Sequence, residues 1–288
     1  MGVEISIIIP VFEQWEFVPD LLDCLYAQSY PMDKVEVLLV DNGSREISVP
    51  DNLRDNIRIL HCKTRGAYAA RNWGVQHSRG EWLVFTDADC LPSKSWLGEI
   101  ATLACSKERG DVFIAGRVDS VNKEDPSAYE IFDMVRGIPQ EHYVRRGYAA
   151  TANLSVPRSL IKRIGGFNER LFSGGDAEFC RRATQKDFRL VYTDAAVVAH
   201  RTRASWNAIA TKARRVKGGQ LTCKSRGHKL WVYIRTLLSP GITSVRLFRN
   251  RRFPFKYRFI ASFVYLRVWG VELLELLRVS FGCEPERR

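Results

Sequence analysis

Apolar residues in the first hundred positions form short continuous runs separated by segments with helical spacing. Runs of this kind are typical of strands buried on both faces, and they occupy Ile5–Val11, Val35–Val40, Ile57–Leu60 and Trp82–Thr86. Between them, apolar residues at helical intervals predict a helix over Phe17–Ser29, and alanine-rich sequence predicts another over Ala67–His77. This alternation predicts an α/β fold with a mostly parallel sheet flanked by helices.

Polar turns follow three of these strands where each strand ends. The turns are Pro10-Val11-Phe12, Asp41-Asn42-Gly43-Ser44 and Asp87-Ala88-Asp89. Ligands of parallel sheets bind at the carboxyl ends of the strands, which lie along one edge. The sequence therefore predicts a ligand site where these turns meet.

Asp87 and Asp89 are the candidate metal ligands. Side chains two residues apart at a strand end point the same way, and two carboxylates this close are unfavourable unless a cation lies between them. Mg²⁺ or Mn²⁺ takes a few carboxylate oxygens and completes its shell with phosphate oxygens. The alternative for the motif alone is a solvated acidic turn, but its position after a buried strand favours the metal.

Asp41 and Arg71 are candidates for nucleotide contacts. Asp41 ends the second strand, where its carboxylate can accept a hydrogen bond from a base or ribose; the alternative is a turn former or helix cap. Arg71 lies on the helix predicted over Ala67–His77, where a guanidinium can bind a diphosphate. A surface arginine is the alternative for Arg71.

Asp176 and His200 carry the remaining candidate chemistry. Asp176 follows Gly174-Gly175 at the start of a helix predicted over Asp176–Arg182, where the helix dipole keeps a carboxylate ionised and able to accept a proton. An ordinary helix cap is the alternative. His200 follows an apolar run, and its imidazole can either complete the metal's ligands or have a structural role.

The motifs occur in an order that resembles glycosyltransferase family 2. They read SIIIPVFEQ, VLLVDNGS, GAYAARNWGVQHSRGEWLVFTDADC, ANLSVPRSLIKRIGGFNERLFSGGDAEFCRRA and VVAH, and together they cover about residues 3–205. The resemblance implies a GT-A fold, which is Rossmann-like, and transfer of a sugar from a nucleotide-sugar with inversion at the anomeric carbon.

The resemblance also implies roles for individual residues. It assigns the nucleotide-sugar site to Pro10, Phe12, Asp41, Arg71, Asp87, Ala88 and Asp89. Asp87 and Asp89 would be the metal-binding pair, with Asp89 the more direct ligand of Mn²⁺ or Mg²⁺. His200 falls where some members place a metal or diphosphate ligand.

Asp176 stands where the family has its general base. Gly175 replaces the acidic residue that often precedes that aspartate, so Asp176 alone is left to deprotonate the acceptor. Glu178 then becomes a candidate for acceptor binding or for support of the base.

Charge divides the chain near residue 205. Residues 1–200 carry 24 Lys and Arg against 28 Asp and Glu, whereas residues 201–288 carry 20 against four glutamates. We therefore expect a catalytic domain over 1–204, with a nucleotide-sugar-binding half (1–110) and an acceptor and catalytic-base half (111–204). A basic helical extension follows over 205–288.

The extension is expected to contain a basic helix over Trp206–Gly218 and an amphipathic helix over Phe259–Leu277. On a helical wheel Arg267, Glu275 and Arg278 fall on one side. The apolar residues Phe259, Leu266, Trp269, Leu273, Leu276 and Leu277 fall on the other. Such a helix fits an anionic membrane surface, and packing on the catalytic domain or on another subunit is the alternative. A homo-oligomer is left open, and nucleic acid is not expected because no recognition motif is found.

Seven scattered cysteines without a CxxC pair argue against a disulfide framework or structural zinc, and no secretory signal is found. A cytoplasmic protein, peripheral on the cytoplasmic membrane face, is therefore expected. The predicted function is the metal-dependent transfer of a sugar from a nucleotide-sugar to a hydroxyl of a glycan or of a lipid-linked acceptor. A UDP-sugar is the favoured donor, and surface polysaccharide or glycoconjugate synthesis is the expected process. The alternative is a non-catalytic nucleotide- or polyanion-binding protein. A dehydrogenase is disfavoured because no G-x-G-x-x-G follows the first strand.

Overall fold

The computed structural model describes residues 4–50, 53–105, 111–221 and 226–286. The chain divides into two compact units. The first comprises the described residues of Met1–Asp119, Ile138–Arg170 and Gly175–Arg201, and the second those of Ser120–Gly137, Leu171–Gly174 and Thr202–Arg288. The break after Arg201 lies close to the boundary expected near 205. The two internal segments of the second unit had been expected in the catalytic domain.

One eight-stranded mixed sheet organises the first unit. Its strands are β1 (Ile5–Val11), β2 (Val35–Asp41), β3 (Ile57–His61), β4 (Trp82–Phe85), β5 (Cys90–Pro92), β6 (Val112–Ser120), β7 (Leu154–Pro157) and β8 (Arg189–His200). Their order across the sheet is β3-β2-β1-β4-β7-β6-β8-β5. The first four strands pair in parallel, whereas the β4–β7, β6–β7 and β5–β8 pairs are antiparallel.

Ten α-helices accompany the strands among the described residues. They are α1 (Val18–Tyr26), α2 (Ala67–His77), α3 (Trp96–Ala104), α4 (Ala128–Arg136), α5 (Gln140–Val144), α6 (Arg158–Ile164), α7 (Gly175–Thr184), α8 (Trp206–Leu221), α9 (Arg226–Phe248) and α10 (Phe255–Ser280). Helix α1 ends three residues before the predicted Ser29. Beyond it, the Gln28 side chain donates to the Ser93 carbonyl and accepts from the Leu97 amide, and Pro31 disfavours further helix.

The core of the first unit forms around β1 and β2 because both strands are apolar on both faces. Ile7, Ile9, Val37 and Leu39 are fully buried, and each such side chain stabilises the fold by about 2 kcal/mol. These central strands hold the carboxyl-end turns in place. Asn42, for example, donates its backbone amide to the Val11 carbonyl at 2.8 Å.

The antiparallel side of the sheet brings the end of β8 to the turn after β4. The apolar run that precedes His200 is the end of a single long strand, β8. Its register with β5 pairs His200 with Cys90, directly after Asp89, and the Arg201 amide donates to the Asp89 carbonyl at 3.0 Å. A histidine 111 positions away in sequence therefore becomes a neighbour of the acidic turn.

The second unit is helical and has its own apolar core. Ile131 and Phe132 of α4 pack with residues of α8, α9 and α10, including Ala213, Leu247 and Val264. The basic helix expected over Trp206–Gly218 is present as α8. No helix among the described residues is long and apolar enough to cross a membrane.

The two sides predicted for the last helix do not separate its buried residues from its exposed residues. Glu275 and Leu276 are both buried, whereas Phe259, Leu266 and Leu277 are exposed. Glu275 tolerates burial because its carboxylate accepts two hydrogen bonds from the Arg278 guanidinium, at 2.7 and 2.9 Å. An acidic residue paired in this way no longer marks the solvent side of a helix.

Candidate active site

The Asp87-Ala88-Asp89 segment lies in a tight turn directly after β4. Ala88 is buried in the core, and the Cys90 amide donates to the Asp87 carbonyl at 3.1 Å, which closes the turn. With Ala88 buried, this turn directs the carboxylates of Asp87 and Asp89 away from the core. The strand alternation expected from the sequence is not the cause, since β4 ends at Phe85.

His200 completes a three-residue cluster with these aspartates. Asp87, Asp89 and His200 each offer one ligand atom, and these atoms lie within 4.8 Å of one another. The His200 Nε2 is 3.5 Å from Asp89 Oδ2, and Gln14 Nε2 contacts the same oxygen at 3.5 Å. Two carboxylates and one imidazole form a donor set that suits Mn²⁺, and the oxygens alone suit Mg²⁺.

Arg71 pairs with Asp87 and interacts electrostatically with Asp176. The guanidinium is buried, and its Nη2 donates to Asp87 Oδ1 at 2.6 Å. Its buried Nε has no hydrogen-bond partner among the described residues. Since Arg71 already compensates the charge of Asp87, Asp89 keeps more of its charge for a ligand.

Asp176 lies in the first turn of α7 with its two oxygens in different environments. Oδ2 accepts from the Thr151 amide at 3.2 Å and from the Thr151 hydroxyl at 3.4 Å. Oδ1 is buried and has no partner among the described residues. Burial raises the pKa of Asp176 above its usual value, although Arg71 and the Thr151 amide act to lower that pKa. Burial thus opposes the helix dipole that was expected to keep Asp176 ionised, and the carboxylate is a stronger base than a solvated aspartate.

Asp41 is held by its own turn. Its carboxylate accepts from Trp15 Nε1 at 3.1 Å and from the Gly43 amide at 3.0 Å. Burial acts to raise the pKa of Asp41, but hydrogen bonds from Ser44, Trp15 and the Gly43 amide outweigh it, so the pKa lies below its usual value. The turn-forming alternative thus accounts for this residue's contacts, and a base or ribose contact stays a prediction.

Comparison with known proteins identifies the family. The family model described as Glycosyl transferase family 2 matches residues 6–187, more than half of the chain. The chain belongs to glycosyltransferase family 2. It is a transferase, and its sheet and helices form a GT-A fold.

Two relatives of this family-2 glycosyltransferase are similar to it over most of its length. The glycosyltransferase AglE of Haloferax volcanii is 32% identical over 225 residues, which are 75% of this chain and 73% of that protein. The dolichyl N-acetyl-alpha-D-glucosaminyl phosphate 3-beta-D-2,3-diacetamido-2,3-dideoxy-beta-D-glucuronosyltransferase of Methanococcus voltae is 24% identical over 268 residues, covering 85% and 83% of the two chains.

A solved structure shares the fold. The structure of S. aureus TarS 1–349 in complex with UDP-GlcNAc is similar with a TM-score of 0.54 and 15% identity. The match covers 97% of this chain and 92% of the TarS chain. At this identity the likeness concerns the fold alone.

Two residues that support the candidate site were not predicted from the sequence. Tyr68 is buried, and its hydroxyl accepts from the amides of Gly175 at 2.9 Å and Asp176 at 3.3 Å. Thr151 contributes the contacts to Asp176 described above. Helical spacing could have indicated Tyr68, because it lies three residues before Arg71 on α2 and so shares its face. No local signal indicates Thr151.

Glu178 is engaged with a neighbour on its own helix. Its two oxygens accept from Arg182 Nε at 2.6 Å and Nη2 at 3.0 Å. Arg182 also donates to the carbonyls of Ile164 and Gly166, so the pair holds the loop before α7. A role for Glu178 in acceptor binding stays a prediction, and the contacts seen are structural.

The Tyr68 ring leaves no space for a side chain at position 175, directly before Asp176. A Cβ at position 175 would lie 2.5 Å from Cε2 and Cζ of Tyr68. Gly175→Ala is therefore expected to destabilise the protein by about 2 kcal/mol through overpacking, and to displace Asp176. Thermal unfolding and transfer rate measure both effects.

Two controls isolate the Tyr68 contact. Gly98→Ala, at a helical glycine with its nearest neighbour at 3.8 Å, should leave unfolding unchanged or raise the stability. In a Tyr68→Ala background, Gly175→Ala should lower the free energy of unfolding much less than it does in the wild type. Equal costs in the two backgrounds would show that the ring is not the obstacle.

Proposed function

We propose that this glycosyltransferase moves a sugar, with inversion, from a nucleotide-sugar to a hydroxyl of a glycan or a lipid-linked acceptor. The observation that carries the proposal is the cluster of Asp87, Asp89 and His200, with its ligand atoms within 4.8 Å of one another. The Arg71 side chain pairs with Asp87 and interacts electrostatically with Asp176. A UDP-sugar is the favoured donor, and Mn²⁺ or Mg²⁺ the cofactor. A metal-dependent enzyme accounts for this arrangement better than a non-catalytic polyanion-binding protein does.

The chain's own residues would act as follows. Asp89 and His200, with Asp87, would hold the metal, and what the metal supplies is neutralisation of the charge that grows on the diphosphate. Arg71 has a buried Nε that lacks a partner among the described residues, and a diphosphate oxygen would satisfy it. Pro10, Phe12, Asp41 and Ala88 would line the remainder of the nucleotide-sugar site.

Asp176 would be the general base. Thr151 fixes Oδ2, so Oδ1 is the oxygen left to accept a proton. The acceptor oxygen forms a bond to the anomeric carbon as the bond to the diphosphate breaks on the opposite face. The acceptor's proton goes to Asp176, and the electron pair leaves with the nucleoside diphosphate.

A lipid-linked acceptor is supported by the relative from Methanococcus voltae, whose name describes a dolichyl-phosphate-linked substrate. Surface polysaccharide or glycoconjugate synthesis on the cytoplasmic face of a membrane would follow from such an acceptor.

Donor binding tests the proposal without an acceptor. Thermal unfolding of the full chain is measured with UDP-, GDP- and dTDP-sugars, each with Mn²⁺, Mg²⁺ or EDTA. One donor should raise the melting temperature only when metal is present, since a ligand that binds the native state stabilises it. A panel in which no donor shifts the unfolding temperature in any metal would overturn the proposal.

The pH dependence of transfer tests Asp176 separately. A base with a raised pKa must lose its proton before it acts, so kcat/KM should fall as the pH drops through an apparent pKa above the usual 3.8. Because Arg71 acts to lower the pKa of Asp176, Arg71→Gln should move this acid limb to higher pH. A limb at the same pH in both proteins would contradict the assignment.

A further inference from the structure

Helix α9 exposes one apolar side. Its exposed large apolar residues are Leu230, Trp231, Ile234, Leu237, Leu238, Ile242, Val245 and Phe248. They recur every three or four residues, so they share one side of the helix. The buried residues Val232, Thr236 and Leu247 fall on the opposite side, where α9 packs into the second unit.

Helix α10 has the same arrangement. Its exposed apolar residues, with the one that follows the helix, are Phe255, Phe259, Phe263, Leu266, Leu274, Leu277 and Phe281. The opposite side buries Ala261, Val264 and Val268 in the core of the second unit. Both helices are thus apolar on the inner and the outer side. We call the exposed apolar residues of α9 and α10 the outer apolar surface.

The two halves of this surface meet. Phe248 and Phe255 are both exposed, and their rings contact at 5.4 Å between centroids, edge to face. Farther along, Trp269 Nε1 donates to the Thr236 carbonyl at 2.9 Å, which ties the helices together. Single exposed apolar side chains are common on proteins, but a continuous set on two packed helices marks an interaction site.

Exposed cations border the outer apolar surface. Arg235, Arg246 and Arg249 lie beside the apolar side of α9, and Lys256 and Arg267 beside that of α10. Arg235 also lies over the Trp231 ring at 5.0 Å, so charge and aromatic surface are adjacent.

Acidic residues of the same helices point inward or are paired. Glu272 is 3.1 Å from Lys217, and the buried Glu275 pairs with Arg278. Neither glutamate offsets the cations at the border. The partner must therefore offer apolar material for the centre of the surface and negative charge for its edges.

We infer that the outer apolar surface binds the interface of an anionic phospholipid bilayer, with α9 and α10 lying in the plane of the membrane. Amphipathic helices bind in this way by burying their apolar side at the boundary of headgroups and acyl chains, while cations contact anionic headgroups. A second copy of this chain fits less well, since it would bring the same cations together. The inference depends on neither the donor nor the metal.

Sedimentation of the full chain with vesicles tests the inference. Vesicles of phosphatidylcholine are compared with vesicles that contain about one third phosphatidylglycerol. The protein should pellet with the anionic vesicles and bind the neutral ones at least about tenfold more weakly, and added salt should reduce binding.

Variants identify the surface. Leu237→Ser with Ile242→Ser, and separately Phe259→Ser with Phe263→Ser, should each weaken binding by about tenfold or more. All four residues are exposed, so thermal unfolding should not change. Arg235→Gln with Arg246→Gln should reduce the preference for anionic vesicles. The matched control, Ile47→Ser with Val49→Ser, removes exposed apolar residues outside this surface and should bind as the wild type does.

Three results would overturn the inference. They are no binding to anionic vesicles, equal binding to neutral vesicles, and concentration-dependent self-association that the serine variants abolish while vesicle binding persists. Vesicle binding is measured without donor or turnover. If the protein did not bind vesicles, the proposed transfer reaction would still stand. If no donor bound, the inferred membrane-binding surface would still stand.

Discussion

Replacing Asp176 by asparagine is expected to lower the transfer rate by about 10³-fold while donor binding is kept, since loss of a positioned general base typically costs 10²- to 10⁴-fold. Asparagine has nearly the same shape and can still accept from Thr151 through its amide oxygen. It cannot take the acceptor's proton. Steady-state kinetics should therefore show the loss in kcat, with the metal-dependent stabilisation by donor unchanged.

Stability provides a second readout of the same substitution. Because burial raises the pKa of Asp176, the folded protein binds this proton more tightly than the unfolded chain does. The free energy of unfolding therefore falls as the pH rises through the folded-state pKa, and ionised Asp176 destabilises the protein at neutral pH. Asp176→Asn should unfold at the wild-type temperature or higher at pH 7, and its stability should depend less on pH.

Glu178→Gln is the matched control for Asp176→Asn. Both residues are acids of α7, but the Glu178 carboxylate is paired with Arg182. The control should keep most of kcat and lose some stability, and the predicted role of Glu178 in acceptor binding would show in KM for the acceptor alone. If Glu178→Gln reduced kcat as much as Asp176→Asn, the base would be misassigned.

Asp89→Ala is expected to abolish metal-dependent donor binding and to reduce transfer by at least about a hundredfold, because a bound metal supplies several kcal/mol of charge stabilisation in the transition state. Asp89 contacts His200 and, unlike Asp87, is not neutralised by Arg71. Its removal leaves the cluster with one paired carboxylate and one imidazole. Calorimetric titration with Mn²⁺ and kinetics over a range of metal concentrations measure the effect.

His200→Ala should weaken metal binding in the same direction. Asp119→Asn is the control, since Asp119 lies at the surface and pairs with Arg117. This control should titrate with Mn²⁺ as the wild type does. Unaltered Mn²⁺ affinity in Asp89→Ala would exclude the cluster as the metal site, even if activity were lost for another reason.

The fold was predictable from sequence where the hydrophobic pattern is unambiguous. The strand at Ile5–Val11 and the helix at Ala67–His77 appear with the predicted bounds, and the GT-A fold follows from the order of the motifs. Helix α9 was not predicted, because Pro240-Gly241 within it normally disfavours a helix. The outer side of α9 was therefore not predicted either. For α10, the exposed residues Phe259, Leu266 and Leu277 were expected on one apolar side, but the second apolar side, which is buried, was not predicted.

The sequence identified the residues of the candidate site, but it did not predict their contacts or their burial. Asp87, Asp89, Asp176 and His200 are recognisable from their motifs. The contacts of His200 depend on the register of β8 with β5, and that register is set by pairing across the sheet. The raised pKa of Asp176 depends on burial, which no local sequence shows.

The most direct test of the account is release of nucleoside diphosphate from the donor that stabilises the protein, measured with Mn²⁺ for wild type and Asp176→Asn. We expect slow release by the wild type, loss of release in EDTA, and a loss of about 10³-fold in the variant. Equal release by the two proteins, or release that is indifferent to EDTA, would contradict a metal-dependent transfer in which Asp176 is the base.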